Sequence, residues 1–368
     1  MKLLELKLTN YRNCSNLDLD LNNNKILIIG KNAQGKTNIL ESIYFLSALK
    51  SQRTSSIDEL IKFGENNFEI SLSMLKADTE VDLYYSFDES KNKVIKVNGV
   101  KTRPKDFKQV LKTVLFSAND LLLLRGNPQD RRDWLDRAIS QVYPAYDDRL
   151  SKYDKIRIQK NNFLKENLKT GICNDTLLDV YNEQLVIAGS NLIYLRKKFL
   201  SEIEKIAKKK HLSISESENL TIHYECSFLH KDDFDIDTIV SKFNEELKER
   251  KIEEQRRGQA CVGPHRDDVS FLINGKEAIK YASQGQQRTI VLALKLSELD
   301  IITEKTGDEP ILLLDDVLAE LDDIRQNYLL KSIKANIQTI ITSVDTLFFE
   351  DEFLKEVSIY KVDNGSII

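Results

Sequence analysis

The feature that most constrains this 368-residue chain is Gly30-Lys31-Asn32-Ala33-Gln34-Gly35-Lys36-Thr37. It fits G-x-x-x-x-G-K-[ST], a phosphate-binding loop. The apolar run at 25–29 before it predicts a buried strand. After it, Ile39, Leu40, Ile43, Tyr44 and Leu46 recur at helical spacing and predict a helix over 37–49. Gly30 and Gly35 let the backbone curl so that successive N–H groups point inward at phosphate oxygens. The helix N-terminus adds partial positive charge. Lys36 can then reach the β- and γ-phosphates of a nucleotide, and the Thr37 hydroxyl can face Mg²⁺.

Two further stretches carry chemistry. Ile311-Leu312-Leu313-Leu314-Asp315-Asp316 is an apolar run ending in two acids. A buried parallel strand ending in carboxylates is what an ATPase needs beside its phosphate loop. Asp315 would hold the Mg²⁺ water shell. Asp316 points the other way and could polarise the attacking water. Upstream, Ser283-Gln284-Gly285-Gln286-Gln287-Arg288 opens a strongly apolar helix. Ser283 is a natural N-cap and Gly285 leaves backbone N–H groups bare, so this is a second helix start suited to phosphate.

The chain is long for one domain, so two lobes are expected. Strand signals dominate up to about 125: residues 3–8, 17–21, 26–29, 68–75, 81–87, 93–97 and 114–116, with a polar turn at 10–13 and a hairpin turn at Asn98-Gly99. Beyond Pro128 helical periodicity takes over until about 212. Trp134, Leu135, Ala138, Ile139 and Val142 form one stripe. Leu178, Tyr181, Leu185, Ala188, Leu192, Leu195 and Phe199 form a seam with steps of three and four, the mark of a helix packed along another. The expected organisation is an α/β ATPase head made of 1–125 and 258–368, with a mainly helical arm inserted at 126–257.

Net charge is −4, so composition does not advertise nucleic-acid binding, but local clusters could supply it. Lys101, Arg103, Lys105, Lys108 and Lys112 make one basic stretch. Arg196, Lys197, Lys198, Lys205, Lys208, Lys209 and Lys210 are expected on the arm surface. Each cluster has two readings, a solvated face or a phosphate-contacting patch. The first residues alternate like a strand rather than a signal segment, and no apolar run approaches the ~20 residues of a membrane helix. Cys14, Cys173, Cys226 and Cys261 are isolated, which suits reduced thiols in the cytoplasm.

The order of phosphate loop, S-x-G-x-x signature, strand with paired acids and then Ala319-Glu320-Leu321-Asp322 resembles the ABC-type ATPase heads of the SMC-like group. Within that group, five stretches resemble the RecF family of bacterial DNA-repair proteins: Asn10-Tyr11-Arg12-Asn13, the phosphate loop, Gly263-Pro264-His265-Arg266-Asp267-Asp268, Ser283 to Arg288, and Leu314-Asp315-Asp316-Val317. The segment with Arg131-Arg132 and Leu135-Asp136 also fits. The resemblance covers almost the whole chain.

It implies an ATP-dependent protein that binds DNA at single-strand gaps and single-strand/double-strand junctions. It also implies partnership with RecR and RecO in loading RecA, and a role in replication restart and the SOS response. Two protomers would sandwich two ATP molecules. Carried over by residue, Gly30 to Thr37 and Asp315 bind phosphate and Mg²⁺, and Lys36 and Asp316 serve catalysis. Ser283 and Gly285 meet the γ-phosphate of the opposite ATP, with Gln286 in the same nucleotide-binding set. Asp322 lies at the dimer seam, and Arg12 and Asn13 lie near the nucleotide.

The sequence also departs from the pattern. Thr342 and Ser343 stand where a switch histidine is usual. Asn119 is the nearest candidate for the coupling-loop glutamine, and Gln52 precedes Arg53 where a histidine or aromatic is common.

Other readings fit less well. A transporter nucleotide-binding subunit places its signature much closer to the phosphate loop. A structural SMC-like clamp needs long coiled coils and a hinge, and an ATP-driven nuclease needs a further catalytic domain. His265, Asp267 and Asp268 sit in one short stretch and cannot easily face one ion, so a structural role is favoured for them.

Overall fold

The computed structural model describes residues 1–171, 174–230 and 232–368; Cys173, read above as an isolated thiol, lies outside them. The described chain divides into two compact units, Met1–Asp120 with Lys295–Ile368, and Leu121–Leu294.

The first unit holds two six-stranded sheets. One has the order β2-β1-β4-β5-β6-β7 and is antiparallel: β1 Lys2–Tyr11, β2 Cys14–Asp20, β4 Asn67–Lys76, β5 Thr79–Asp88, β6 Lys93–Val97 and β7 Val100–Lys101. Burial alternates along β4, so this sheet turns one face to the core and the other to solvent. The second sheet has the order β15-β14-β3-β13-β12-β8: β3 Lys25–Ile29, β8 Thr113–Ser117, β12 Ile311–Asp315, β13 Thr339–Ser343, β14 Ser358–Asp363 and β15 Ser366–Ile367. Its strands run parallel except for the β14–β15 hairpin. The apolar runs of β3 and β12, and the burial of every residue of β13, suit strands covered on both faces.

Between the sheets lies the apolar face of α1, Lys36–Ala48. Ile39, Ile43, Phe45 and Leu46 join Ile28, Leu115, Leu313 and Ile340 from one sheet, and Leu6, Leu8, Phe68 and Tyr85 from the other, in one buried cluster. Edge-to-face contacts of Phe45 with Phe68 and Tyr85 (centroids 6.2 and 4.9 Å) add about 0.5–1.5 kcal/mol each beyond area burial. Tyr11, expected in a polar turn, instead ends β1 fully buried against Phe68; the turn itself is only Arg12-Asn13. One buried amide ties the sheets at their other end. Gln338 accepts from Leu3 N–H (2.6 Å) and donates to the carbonyls of Leu3, Leu21 and Asn23.

The second unit is mainly helical. Its longer helices are α2 Pro128–Val142, α3 Tyr146–Thr170, α4 Asp175–Ser215, α5 Ile236–Glu249 and α6 Lys251–Arg257. Asn127 and Asp130 form a capping box with Pro128 at the first turn, which is why α2 starts there. The five-residue stripe of α2 is buried throughout, and the α4 seam buries Leu178, Leu185, Ala188, Leu192 and Phe199. A three-stranded antiparallel sheet of order β11-β10-β9 completes the unit: β9 Leu220–Glu225, β10 Asp268–Ile273 and β11 Lys276–Glu277. The turn Asn274-Gly275 has positive φ at both residues, as a two-residue hairpin requires.

Two features differ from the sequence expectation. The helical unit continues to Leu294 rather than stopping near 257. The reason is pairing of β10 with β9 and the Arg131 fork on Asp268 (2.7 and 2.8 Å), which tie 268–273 to the arm. Second, part of the expected basic surface is interior. Arg196 is 2% exposed, forked on Asp136, and Lys197 is 7% exposed, donating to backbone carbonyls of His230 and Asp233. Lys112 is likewise buried. Long aliphatic stems let such residues line a helix interface while their heads find acceptors, so a run of basic letters does not define a face.

Candidate nucleotide site

Parallel register sets the site. β12 lies between β8 and β13, with Asp315 level with Ser117 and Thr342, and Ser343 level with Ile29 on β3. The carboxyl ends of four strands therefore meet where the phosphate loop leaves β3 and enters α1, the usual ligand position in open α/β sheets. The loop needs its glycines. A Cβ on Gly30 would lie 2.5 Å from the Val362 carbonyl oxygen. Gly35 has φ 111°, and a Cβ there would meet Asn13 Oδ1 at 2.8 Å.

Lys36 Nζ turns back over the loop, donating to the carbonyls of Gly30 (2.8 Å) and Lys31 (3.2 Å), with Asp316 Oδ2 at 3.9 Å. Lys31, Asn32 and Ala33 lie exposed at the crest. Thr37 Oγ1 donates to Asp315 Oδ1 at 2.9 Å, and Thr342 Oγ1 donates to the same oxygen at 2.9 Å. Burial raises the Asp315 pKa, the neighbouring Asp316 charge adds to this, and the two hydroxyls oppose it. A buried carboxylate destabilised in this way, next to a hydroxyl oxygen, is a hard-oxygen donor pair that fits Mg²⁺. Mg²⁺ takes few protein ligands and completes its shell with water and phosphate. Thr37 and Asp315 are the residues that would hold it.

Asp316 sits at φ 50°, a left-handed conformation unusual for a residue with a side chain. Its N–H donates to Thr342 Oγ1 at 2.9 Å. Thr342 thus spans both acids. The Thr342 hydroxyl is therefore committed to holding the two acids, a role that sequence reasoning missed.

Arg12 and Asn13 act on the site through protein groups. Arg12 forks onto the buried Glu41 (2.9 and 2.8 Å) one turn beyond Thr37. Asn13 Nδ2 donates to the Gln34 carbonyl at 3.1 Å. Arg53 donates to Asn38 Oδ1 at 2.7 Å and lies 3.6 Å from Glu41. A small cleft beside the acids is lined by Thr37, Glu41, Gln52, Arg53, Asn119 and Asp315, among others. Asn119 and Gln52, two of the departures noted in the sequence, therefore line the same cleft as Thr37 and Asp315.

In the second unit Ser283 caps the helix α7, Gln284–Thr306, with a reciprocal box. Gln286 N–H donates to Ser283 Oγ (3.2 Å) and Ser283 N–H to Gln286 Oε1 (2.8 Å). Asp322 caps α8, Asp323–Ser332, accepting from Arg325 N–H at 3.0 Å.

His265, Asp267 and Asp268 take separate partners: the Tyr153 hydroxyl (2.6 Å), the Tyr224 hydroxyl (2.5 Å) and the Arg131 fork. Among the described residues no group of three or more His, Cys, Asp or Glu could hold a metal ion.

The RecF/RecN/SMC N terminal domain family matches residues 2–367. The chain is 40% identical over all of its length and all of theirs to the DNA replication and repair protein RecF of Bacillus subtilis (strain 168), and 39% identical, again over both full lengths, to that of Staphylococcus carnosus (strain TM300). Its structure is similar to that of the recombination mediator protein RecF-ATP in the RecFOR pathway, with TM-score 0.92 and 36% identity over 100% of this chain and 97% of that one. An Smc head bound to the C-winged helix domain of ScpA shares the fold alone, with TM-score 0.57 and 14% identity over 100% of this chain and 96% of that one. Loop, paired acids, capped signature helix and full-length similarity agree: the chain belongs to the RecF family of DNA replication and repair proteins, within the wider RecF/RecN/SMC group.

Proposed function

We propose that this chain is an ATP-dependent DNA-binding switch of recombinational repair, acting at single-strand gaps and single-strand/double-strand junctions. ATP draws two copies together, and slow hydrolysis times their release. The carrying observation is the cluster of Lys36, Thr37, Asp315 and Asp316 at the strand ends, within 2.9–3.9 Å of one another in the pairs Thr37–Asp315 and Lys36–Asp316.

The loop N–H groups and Lys36 orient the phosphates. Thr37 and Asp315 would hold Mg²⁺, which would supply positive charge to offset that of the phosphates. Asp316, less buried than Asp315 and facing Lys36, is the group placed to accept the proton of the attacking water. By its resemblance to ABC-type heads, Asp316 stands where many of them carry a catalytic glutamate, and an aspartate reaches roughly 1.5 Å less far, about one bond. Misplacement of that size costs on the order of 100-fold, which supports turnover well below the ~10 per second median of enzymes.

Across a pair of copies, Ser283, Gly285 and Gln286 of one face the γ-phosphate held by the other, and Asp322 lies at the seam. The capped start of α7 suits that task. The pathway named for the similar RecF-ATP structure supports RecR and RecO as partners and, through them, RecA. No helix among the described residues is long and apolar enough to cross a membrane; work on the chromosome would place the protein in the cytoplasm.

Fluorescence anisotropy of a labelled gapped duplex tests the switch. Affinity should be at least about tenfold higher with ATP than with ADP, the effect of about 1.4 kcal/mol of coupling. Asp316→Asn should keep binding and prolong residence on DNA. Equal affinities in the two nucleotides would overturn the reading.

A further inference from the structure

We propose that the C-terminal turn Asn364-Gly365 is a positioning element for the phosphate loop, clamping Gln34 so that the Gly35 N–H faces the bound phosphate. The proposal rests on the nucleotide reading of the loop, and Asn364 and Gly365 lie outside every motif that supports that reading.

The hairpin of β14 and β15 pairs Val362 with Ile367 and Asp363 with Ser366, leaving a two-residue turn with φ 47° at Asn364 and 76° at Gly365. Turn amides of an edge hairpin ordinarily point into solvent. Here both point at one residue of the loop. Asn364 N–H donates to Gln34 Oε1 at 2.6 Å, and Gly365 N–H donates to the Gln34 carbonyl at 2.8 Å. That carbonyl also accepts from Asn13 Nδ2 at 3.1 Å, so both of its lone pairs are engaged.

In a trans peptide the C=O and the following N–H point in opposite directions, and the chain has no cis bonds among the described residues. Holding the Gln34 carbonyl outward therefore holds the Gly35 N–H inward, the direction a phosphate oxygen needs. Asn13 is itself fixed by Asn38, whose Nδ2 donates to Asn13 Oδ1 at 2.7 Å.

The approach is close enough to exclude side chains. A Cβ on Gly365 would lie 2.7 Å from the Asn13 carbonyl oxygen, and one on Gly30 would lie 2.5 Å from the Val362 carbonyl oxygen. Three chain segments far apart in sequence thus meet backbone to backbone around Gln34. The last few residues of the chain act on nucleotide binding without touching nucleotide.

Gly365→Ala breaks the approach, Gln34→Ala removes the side-chain acceptor, and the two together close a double-mutant cycle. The assay is binding of fluorescent ADP with Mg²⁺ to the full chain, alongside hydrogen exchange of the 30–37 backbone without nucleotide. Gly365→Ala should weaken ADP about tenfold, the size of one lost hydrogen bond, and should speed exchange at 30–37. The double variant should weaken ADP by less than the two single losses combined, because the two contacts seat one turn on one residue. Deletion of 364–368 is the second variant should Gly365→Ala fail to fold.

Unchanged ADP affinity in Gly365→Ala, or losses that simply add, would overturn the clamp. If the natural chain itself fails to bind ADP, the nucleotide reading falls instead. Unchanged exchange in Gly365→Ala would then overturn the clamp independently.

Discussion

Thr342→Val removes one hydroxyl and almost no volume from a residue that is 1% exposed. The hydroxyl is the acceptor for Asp316 N–H and a donor to Asp315, both at 2.9 Å. Leaving the Asp316 N–H without an acceptor costs about 1–3 kcal/mol. A non-glycine residue held at φ 50° carries strain of about the same size. With its acceptor gone, the backbone at 316 is free to relax toward ordinary φ, and its carboxylate shifts by roughly an ångström or more; such a shift costs on the order of 100-fold in rate. Single-turnover ATP hydrolysis on saturating gapped DNA should therefore fall on the order of 30- to 100-fold in Thr342→Val. ADP affinity should change much less, because Lys36 and the loop are untouched. Thr342→Ser, which restores the hydroxyl, should recover most of the rate. A Thr342→Val protein that hydrolyses ATP within about threefold of the natural chain, half a log unit or ~0.7 kcal/mol, would refute the link between this hydroxyl and Asp316.

Lys160 and Glu254 form a buried pair at 2.6 Å with side chains 0% and 1% exposed. Lys160→Met should cost about 3–5 kcal/mol in urea unfolding by stranding the carboxylate. Adding Glu254→Leu should return all but the ~1–3 kcal/mol of the orphaned Cys261 N–H, which Glu254 accepts at 2.8 Å. His265 is held neutral by burial, its pKa pushed down to about 3. The unfolded chain therefore binds this proton first, and the contribution is complete above about pH 6.5 and is lost as pH falls toward 3. The stability gap between the natural chain and His265→Gln should narrow from pH 7 to pH 4; a constant gap would contradict the assignment. DNA affinity should fall with salt, and reversing Lys208, Lys209 and Lys210, or Lys105 and Lys108, to Glu should flatten the salt slope by about one unit per lost phosphate contact. Unchanged affinity in both variants at low salt would remove these clusters from the footprint.

What the sequence made legible was local. A run of five largely apolar residues before Gly30 became β3, helical spacing after it became α1, four apolar residues before two acids became β12, and Ser283, read as an N-cap, caps α7. Each depends on neighbours within about one turn of chain, where spacing carries the information. What stayed hidden was non-local. Nothing in Thr342 alone says that β13 will lie beside β12 in the register that puts its hydroxyl between two carboxylates. The Asn364-Gly365 dipeptide announces a hairpin turn, but not that its amides meet Gln34. Arg12 was expected near nucleotide because of its motif; the Glu41 that fixes it lies 29 residues on. Arg196 and Lys197 looked like surface because charge usually is, and only the packing of α4 on its neighbours shows them as interior. Sequence separation, more than chemistry, marks the boundary.

The central claim is that ATP held at Lys36, Thr37 and Asp315 of one copy is completed by Ser283 of another. Sedimentation velocity with ATP, with ADP and without nucleotide tests it most directly, on the natural chain and on Ser283→Arg. The 42.4 kDa chain should sediment at twice its mass with ATP and at its own mass with ADP or without nucleotide. Ser283→Arg should bind ATP and yet remain a single chain, because the arginine puts bulk and positive charge at the helix start that must meet the opposite loop. A Ser283→Arg protein that pairs normally with ATP, or a natural chain that stays single with ATP, would contradict the account.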